Sequence, residues 1–244
     1  MSSPRSSGPV GSAHAKDTRP RPARALEPSR AAAAAPARTC AVFAGLTALL
    51  LVAVVLAWPP LLSFDRAVVD ALHASAVTEP TFTHVNRVLT DWVWDPWTMR
   101  LLSAAVCGWL WLHRERLLAV WVAVTAAAGT GLQQAVKALV GRERPQWPDP
   151  VDSANYAAFP SGHAMTAVVT CGLLLWLCRR RGVTGRVWVL CVALAGVSVA
   201  GVGFTRLYLG VHWPSDVVGG WLLGGCVVAL AVASHRRAAL PRGD

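Results

Sequence analysis

Pro160-Ser161-Gly162-His163, followed without a break by the apolar run A-M-T-A-V-V-T-C-G-L-L-L-W-L-C from Ala164 to Cys178, decides how this chain is read. Pro160 and Gly162 mark a tight turn, and Ser161 is a favourable N-cap for the helix that follows. The first N–H groups of such a helix have no backbone partner, and its dipole places partial positive charge at that end. The turn can therefore cradle a phosphate, with Gly162 letting the backbone approach closely and Ser161 adding a hydroxyl. His163 brings a group that gives or takes a proton near neutral pH. Alone, the tetrapeptide is equally an ordinary turn before a helix. Its company decides.

Upstream, K-A-L-V-G-R-E-R-P places Lys137 seven residues before Arg144, and Pro145 closes the segment. Downstream, T-R-L-Y-L-G-V-H-W-P-S-D places Arg206 six residues before His212, with Asp216 four residues further on. The pattern Lys-x6-Arg-Pro, Pro-Ser-Gly-His, Arg-x5-His-x3-Asp resembles the type 2 phosphatidic acid phosphatase superfamily, which includes the vanadium haloperoxidases. The resemblance runs from about Arg100 to Ala233. One departure shows, because the family usually has Ser where Thr205 precedes Arg206; the hydroxyl is kept and only fine positioning changes.

Working outward, the 244 residues are 54% hydrophobic and 15% charged, too greasy for a typical soluble domain. Twelve Trp against two Tyr suggests anchoring at a membrane–water boundary. A soluble helical bundle is the alternative, and the long uncharged runs argue against it. The six cysteines lie in or beside apolar runs without a C-x-x-C pair, and read as small buried hydrophobes.

Six apolar runs predict an all-α, polytopic membrane bundle of six transmembrane helices: Cys40–Trp58, Thr98–Leu112, Leu117–Val140, Ala164–Cys178, Val187–Phe204 and Val217–Ala233. Several are shorter than the ~20 residues a span requires, so their ends are expected to reach into the motif residues. Residues 1–38, rich in Pro, Ala, Ser and Arg, read as a disordered basic tail; 39–235 as the membrane domain; 236–244 as a short tail. The first apolar run is read as a retained helix rather than a signal peptide, because 39 residues ahead of it make a long n-region. Between the first two spans, Leu61, Phe64, Val68 and Leu72 fall at helical spacing opposite Asp65 and Asp70, predicting a short amphipathic outer helix. Gly129 and Gly131 suit close helix packing in the third span, and Gln133 and Gln134 can bond across the bundle.

Charge sets the topology. The amino tail, the turns at 113–116 and 179–186, and the carboxyl tail hold 7, 2, 4 and 3 basic residues, leaving only seven of 23 on the opposite side. The positive-inside rule makes both termini cytoplasmic and puts all three clusters outside, at a plasma membrane. Lys137, Arg144 and Arg206 are three of those seven outer cations. The net charge of +10 therefore does not point to nucleic acid.

A phosphoryl group in transfer needs its oxygens neutralised, an in-line nucleophile and a proton for the departing oxygen. Arg144 and Arg206 offer bidentate forks and Lys137 a point charge, while Ser161 and Gly162 complete the cradle. Pro214 fits the first position of the last helix, so Asp216 points back over its start toward His212. His212 is then the nucleophile oriented by Asp216, and His163 the general acid. The resemblance implies the same roles at these positions, metal-independent turnover without a cofactor, and inhibition by vanadate. Each residue also has a plainer reading: Arg206 and Lys137 as snorkelling cations, Asp216 as a helix-start carboxylate, His212 as interfacial packing. Their joint placement favours the site. Arg142 lies outside the resemblance and reads as a solvated charge; His73, His84, His113 and His235 match no motif. Glu143, Asp149 and Asp152 show no ligand spacing for a metal.

The expected function is hydrolysis of a lipid phosphate or diphosphate (phosphatidic acid, phosphatidylglycerophosphate or polyprenyl diphosphate) through a phosphohistidine. The alternatives are a phosphotransferase using the same intermediate and a non-catalytic transporter or channel. Haloperoxidase activity is disfavoured, because that branch is soluble. The sequence is silent on the oligomeric state.

Overall fold

The computed structural model describes residues 30–238, which form eight α-helices and no strand. They are α1 (Arg30–Val55), α2 (Pro59–Thr78), α3 (Pro80–Val88), α4 (Pro96–Leu112), α5 (Arg116–Val140), α6 (Gly162–Arg180), α7 (Gly185–Tyr208) and α8 (Pro214–Ala238), with a π-helical turn at Leu89–Val93 after α3. Helix α1 reaches back to Arg30, so residues 30–38 are helical rather than part of a disordered tail. The run Ala31–Ala35 has the highest intrinsic helix propensity and explains the extension. Most of the expected amino tail, and residues 239–244, lie outside the described residues.

Five helical segments are long and apolar enough to cross a bilayer: Ala37–Val55 within α1, α5, α6, α7 and most of α8. Helix α4 is apolar but has only 17 residues. As expected from the short apolar runs, the helices extend into the motifs. Lys137 lies in α5, Gly162 and His163 open α6, Arg206 lies in the last turn of α7, and Asp216 in the first turn of α8. Leu49, Leu117, Leu139 and Val189 are exposed on the outside of the bundle, a surface suited to hydrocarbon.

Helix α6 packs against α4, α5, α7 and α8, and α1 lies along α8. The apolar core sits where α4, α5 and α6 meet, around Leu110, Leu118, Val122, Met165, Val169 and Leu173. At the site end α6 and α8 touch backbone to backbone. A Cβ on Gly220 would fall 2.6 Å from the Ser161 carbonyl oxygen and 3.1 Å from the Met165 nitrogen. The glycine thus sets how closely Pro160-Ser161-Gly162-His163 lies against the start of α8, where the Ser161 N–H donates to the Asp216 carbonyl at 2.9 Å. Gly141, left-handed at φ 60°, ends α5 and turns the chain back over the site.

Helix α2 corrects a reading of its stripe. Its buried residues are Asp65, Val69, His73 and Ala76, whereas Phe64 is 57% exposed. Asp65 therefore faces inward, because an ion pair with Arg142 in the segment after α5 and hydrogen bonds from Ser215 on α8 hold it there. The apolar positions Leu61, Phe64, Val68 and Leu72 lie outward or half-buried.

Gly220→Ala should destabilise the protein by about 1–3 kcal/mol of overpacking, read as a lower thermal unfolding midpoint in detergent, because two of the three obstructing atoms are backbone and the third is the Ala164 Cβ. Gly131→Ala, where a Cβ meets nothing within 4 Å, should leave it unchanged.

Candidate active site

At the end of the bundle where α5 and α7 finish and α4, α6 and α8 begin, a cavity of about 310 Å³ opens. Lys137, Arg144, Gly162, His163, Arg206 and His212 all line it. The three sequence clusters are thus brought to one place. Lys137 is buried and donates through Nζ to the Ala157 carbonyl. Arg144 is pinned by carbonyls: Nε donates to Tyr156 at 2.9 Å, Nη2 to Asn155 at 3.0 Å and Nη1 to Val211 at 2.6 Å. Arg206 is buried, with Nη1 donating to Thr90 Oγ1 at 3.2 Å and lying 3.9 Å from the Asp152 carboxylate. Thr205, in place of the family's usual Ser, puts its hydroxyl 3.3 Å from that same Thr90 oxygen, so it supports Arg206 at one remove.

The His212 imidazole is fixed at both nitrogens. Nδ1 lies 3.4 Å from Asp216 Oδ2, and Nε2 lies 3.1 Å from Arg144 Nη1. A guanidinium can only donate, so Nε2 carries no proton and Nδ1–H faces the carboxylate. Burial first, then the charges of Arg144, Arg206 and Lys137, hold the imidazole well below its ordinary pKa. His212 is therefore neutral at neutral pH with its Nε2 lone pair on the cavity side. His163 is half-buried, its Nε2 4.0 Å from the Asp95 carboxylate, which is beyond hydrogen-bond reach.

Asp216 is wholly buried and fully used. Oδ2 also accepts from the Trp213 N–H at 2.9 Å, the reach-back of a third-position carboxylate to its helix cap. Oδ1 accepts from Arg142 Nη1 at 2.6 Å. The reading of Arg142 as a solvated charge is thus corrected. Its Nη2 donates to Asp65 Oδ2 at 2.7 Å, Nη1 also to Ser215 Oγ at 2.6 Å, and the guanidinium lies over the Trp213 ring. Asp65 in turn accepts from the Ser215 N–H at 2.9 Å and the Ser215 hydroxyl. A single part-buried cation compensates two buried carboxylates, and the segment after α5 is tied to α2 and α8 at once.

Ser161 occupies the N-cap position, but its side chain makes no capping bond; its hydroxyl is buried with no partner. The expected cap is replaced by a donor left unused. Gly162 and His163 keep N–H groups that helix geometry leaves without an intrahelical partner. Gln133 packs against Gly162 and lines the cavity with Gln134. Of the acidic residues between α5 and α6, Asp152 faces Arg206, Asp149 bonds His73, and the Glu143 carbonyl accepts from Trp213 Nε1. His73 stacks on Trp147 at 3.8 Å, a packed histidine away from the cavity. Among the described residues, no group of three or more His, Cys, Asp or Glu is placed to hold a metal ion.

A multi-pass helical fold with this basic, two-histidine cavity defines a class, and comparison with known proteins names it. Residues 118–239 match the PAP2 superfamily. A decaprenylphosphoryl-5-phosphoribose phosphatase of Mycobacterium tuberculosis is 30% identical over 169 residues, covering 68% of this chain and 88% of that one. An undecaprenyl-diphosphatase of Sulfolobus acidocaldarius is 28% identical over 151 residues; the match covers 58% of this chain and 63% of that protein, a little under two thirds of its length. Among solved structures, a transmembrane PAP2-type phosphatidylglycerolphosphate phosphatase from Bacillus subtilis superposes with a TM-score of 0.73 at 21% identity, covering 84% of this chain and 99% of that one. The chain belongs to the PAP2 superfamily, the type 2 phosphatidic acid phosphatase family that its three clusters resemble, and it is a multi-pass membrane protein.

Two measurements test the site's electrostatics. Arg142→Ala leaves Asp65 and Asp216 buried without their cation and should cost about 3–5 kcal/mol of stability, read from unfolding in detergent. In protein labelled with ¹⁵N-histidine, His212 should remain neutral through pH 6; since its pKa is lowered, protonation occurs only below the ordinary value of about 6.5. Arg144→Gln removes one of the lowering charges and should move that titration upward.

Proposed function

We propose that this protein is a membrane-integral phosphatase that removes the terminal phosphate of a lipid phosphomonoester or lipid diphosphate, with His212 as nucleophile. The observation that carries the reading is the His212 imidazole, held by Asp216 on Nδ1 with its Nε2 directed at the cationic cavity. Lys137, Arg144 and Arg206 bind the phosphoryl oxygens, joined by the Ser161 hydroxyl and the N–H groups of Gly162 and His163. An arriving phosphate draws the Arg144 Nη1–H from His212 to itself, which frees the Nε2 lone pair when the target is in place.

Nε2 then attacks phosphorus in line, the bond from phosphorus to the leaving oxygen breaks, and His163, carrying a proton brought in on the substrate phosphate, gives it to that oxygen. The imidazole becomes a phosphohistidine whose Nδ1–H stays on Asp216. In the second step water attacks phosphorus, His163 takes its proton, and the phosphorus–nitrogen bond breaks to return neutral His212 and inorganic phosphate. No step needs a metal. Transfer to an alcohol instead of water uses the same residues, so a phosphotransferase is the second reading.

The lipid assignment rests on where the cavity lies, at the ends of apolar helices where a headgroup sits, and on the activities for which the relatives are named. Six spans are proposed, with α4 crossing as the sixth after the exposed Trp92 and Trp97 at its entry. The bias of basic residues toward the opposite turns then puts both termini in the cytoplasm and the site outside, at a plasma membrane. Helices α2 and α3 lie on that outer side as an interfacial layer.

Phosphate release from phosphatidic acid, phosphatidylglycerophosphate and a polyprenyl diphosphate, measured with purified protein in detergent, tests this. Activity on at least one is expected, with His212→Ala lowering kcat by on the order of 10³-fold or more. Release from none of them, or full activity in His212→Ala, contradicts it.

A further inference from the structure

The cavity holds a fourth cation that the phosphoryl cradle does not use. Arg100, one turn past Pro96 in α4, lines it beside Gln133 and Asp95. Lys137, Arg144 and Arg206 each already donate to protein acceptors. Arg100 forms no hydrogen bond or ion pair among the described residues, its Nε is buried without a partner, and its guanidinium carbon lies 5.1 Å from the Trp97 ring centre. Arg206 also has an unpartnered Nε, but its Nη1 is anchored on Thr90. Leaving a buried guanidinium N–H unsatisfied is costly unless an acceptor arrives.

Its position says which acceptor. A smaller crevice between α4, α5 and α6 meets the main cavity at Arg100 and Gln133, which line both. Helix α4 runs from the site into the apolar bundle, so Arg100 lies on the lipid side of the phosphoryl cradle. Asp95, the cap of α4, stands 4.0 Å from His163, which places this helix start on the side of the leaving group. The Asp95 carboxylate would repel an anion, but its Oδ1 is engaged by the Trp97 N–H and Oδ2 faces His163. Three cations already suffice for one dianionic phosphoryl group.

We infer that Arg100 is the core of a second anion subsite, which binds a second phosphate on the lipid side of the scissile bond and so selects substrates carrying two phosphates over those carrying one. This rests on the phosphatase reading for its catalytic consequence but not for binding. The second phosphate belongs either to a lipid diphosphate or to a headgroup that spaces two phosphates by a glycerol. A single-phosphate lipid leaves the subsite empty.

The test uses full-length protein in detergent with Arg100→Gln, and Arg100→Lys to retain the charge. Calorimetric binding of inorganic pyrophosphate and of orthophosphate reads the subsite without turnover. The ratio of the two affinities should fall about tenfold in Arg100→Gln and be largely restored in Arg100→Lys. Turnover of farnesyl diphosphate, phosphatidylglycerophosphate and farnesyl phosphate should show the same fall in kcat/KM for one or both two-phosphate substrates relative to the last, and the affected one identifies the source. An unchanged binding ratio, or pyrophosphate no better held than orthophosphate by the unaltered protein, overturns the inference. Altered binding ratios in a protein that hydrolyses nothing uphold the subsite while refuting the phosphatase reading.

Discussion

The Asp216 carboxylate, buried and shared between a cation on one side and an imidazole on the other, is the constraint on which the site depends. Taking a carboxylate out of water costs several kcal/mol, and only close partners on both oxygens offset it. Arg142 supplies the charge at 2.6 Å, while Trp213 and His212 occupy the other oxygen. Because Arg142 also holds Asp65, helix α2 is locked to the start of α8 by the same guanidinium. The geometry of His212 is thereby set by Asp216, four residues on, which is held by Arg142 in the segment after α5, itself held by Asp65 on α2.

The remainder of the cavity follows from helix ends. Carbonyls of the segment at 155–157 accept from both Lys137 and Arg144, which holds the two like charges at one wall of the cavity. Burial beside these cations keeps His212 neutral, which is the state a nucleophile needs. Ser161 and the opening N–H groups of α6 supply donors that no protein acceptor consumes. Close approach of α6 to α8 at Gly220 brings these donors to the same end as His212.

How much of this the sequence disclosed depends on whether a contact is local. The long apolar runs announced a helical membrane chain, and the three clusters announced their own meeting, because each sits at a helix end where spacing within a few residues fixes direction. Asp216 over His212 is such a case, four residues apart on one helix start. Arg142 was illegible because its partner Asp65 is 77 residues away, on a helix whose stripe of Leu61, Phe64, Val68 and Leu72 suggested the wrong buried face. Ser161 looked like a cap because of its type and place; that its hydroxyl goes unused emerges only from the packing around it. Arg100 carried no motif signal, and only its place in the cavity distinguishes it from a snorkelling cation. The sole hint is the charge distribution: Arg100 and Arg142 are both among the seven basic residues that fall outside the basic tails and turns.

The most direct test of the account is to trap the phosphorylated protein. Rapid mixing with a ³²P-labelled lipid phosphate, quenching in alkali and mapping the label by mass spectrometry should find an acid-labile, alkali-stable phosphoryl group on His212. Label on Ser161 or on any other residue, or turnover with no phosphoprotein formed in the first cycle, would contradict the claim that a buried carboxylate holds this imidazole ready to accept phosphorus.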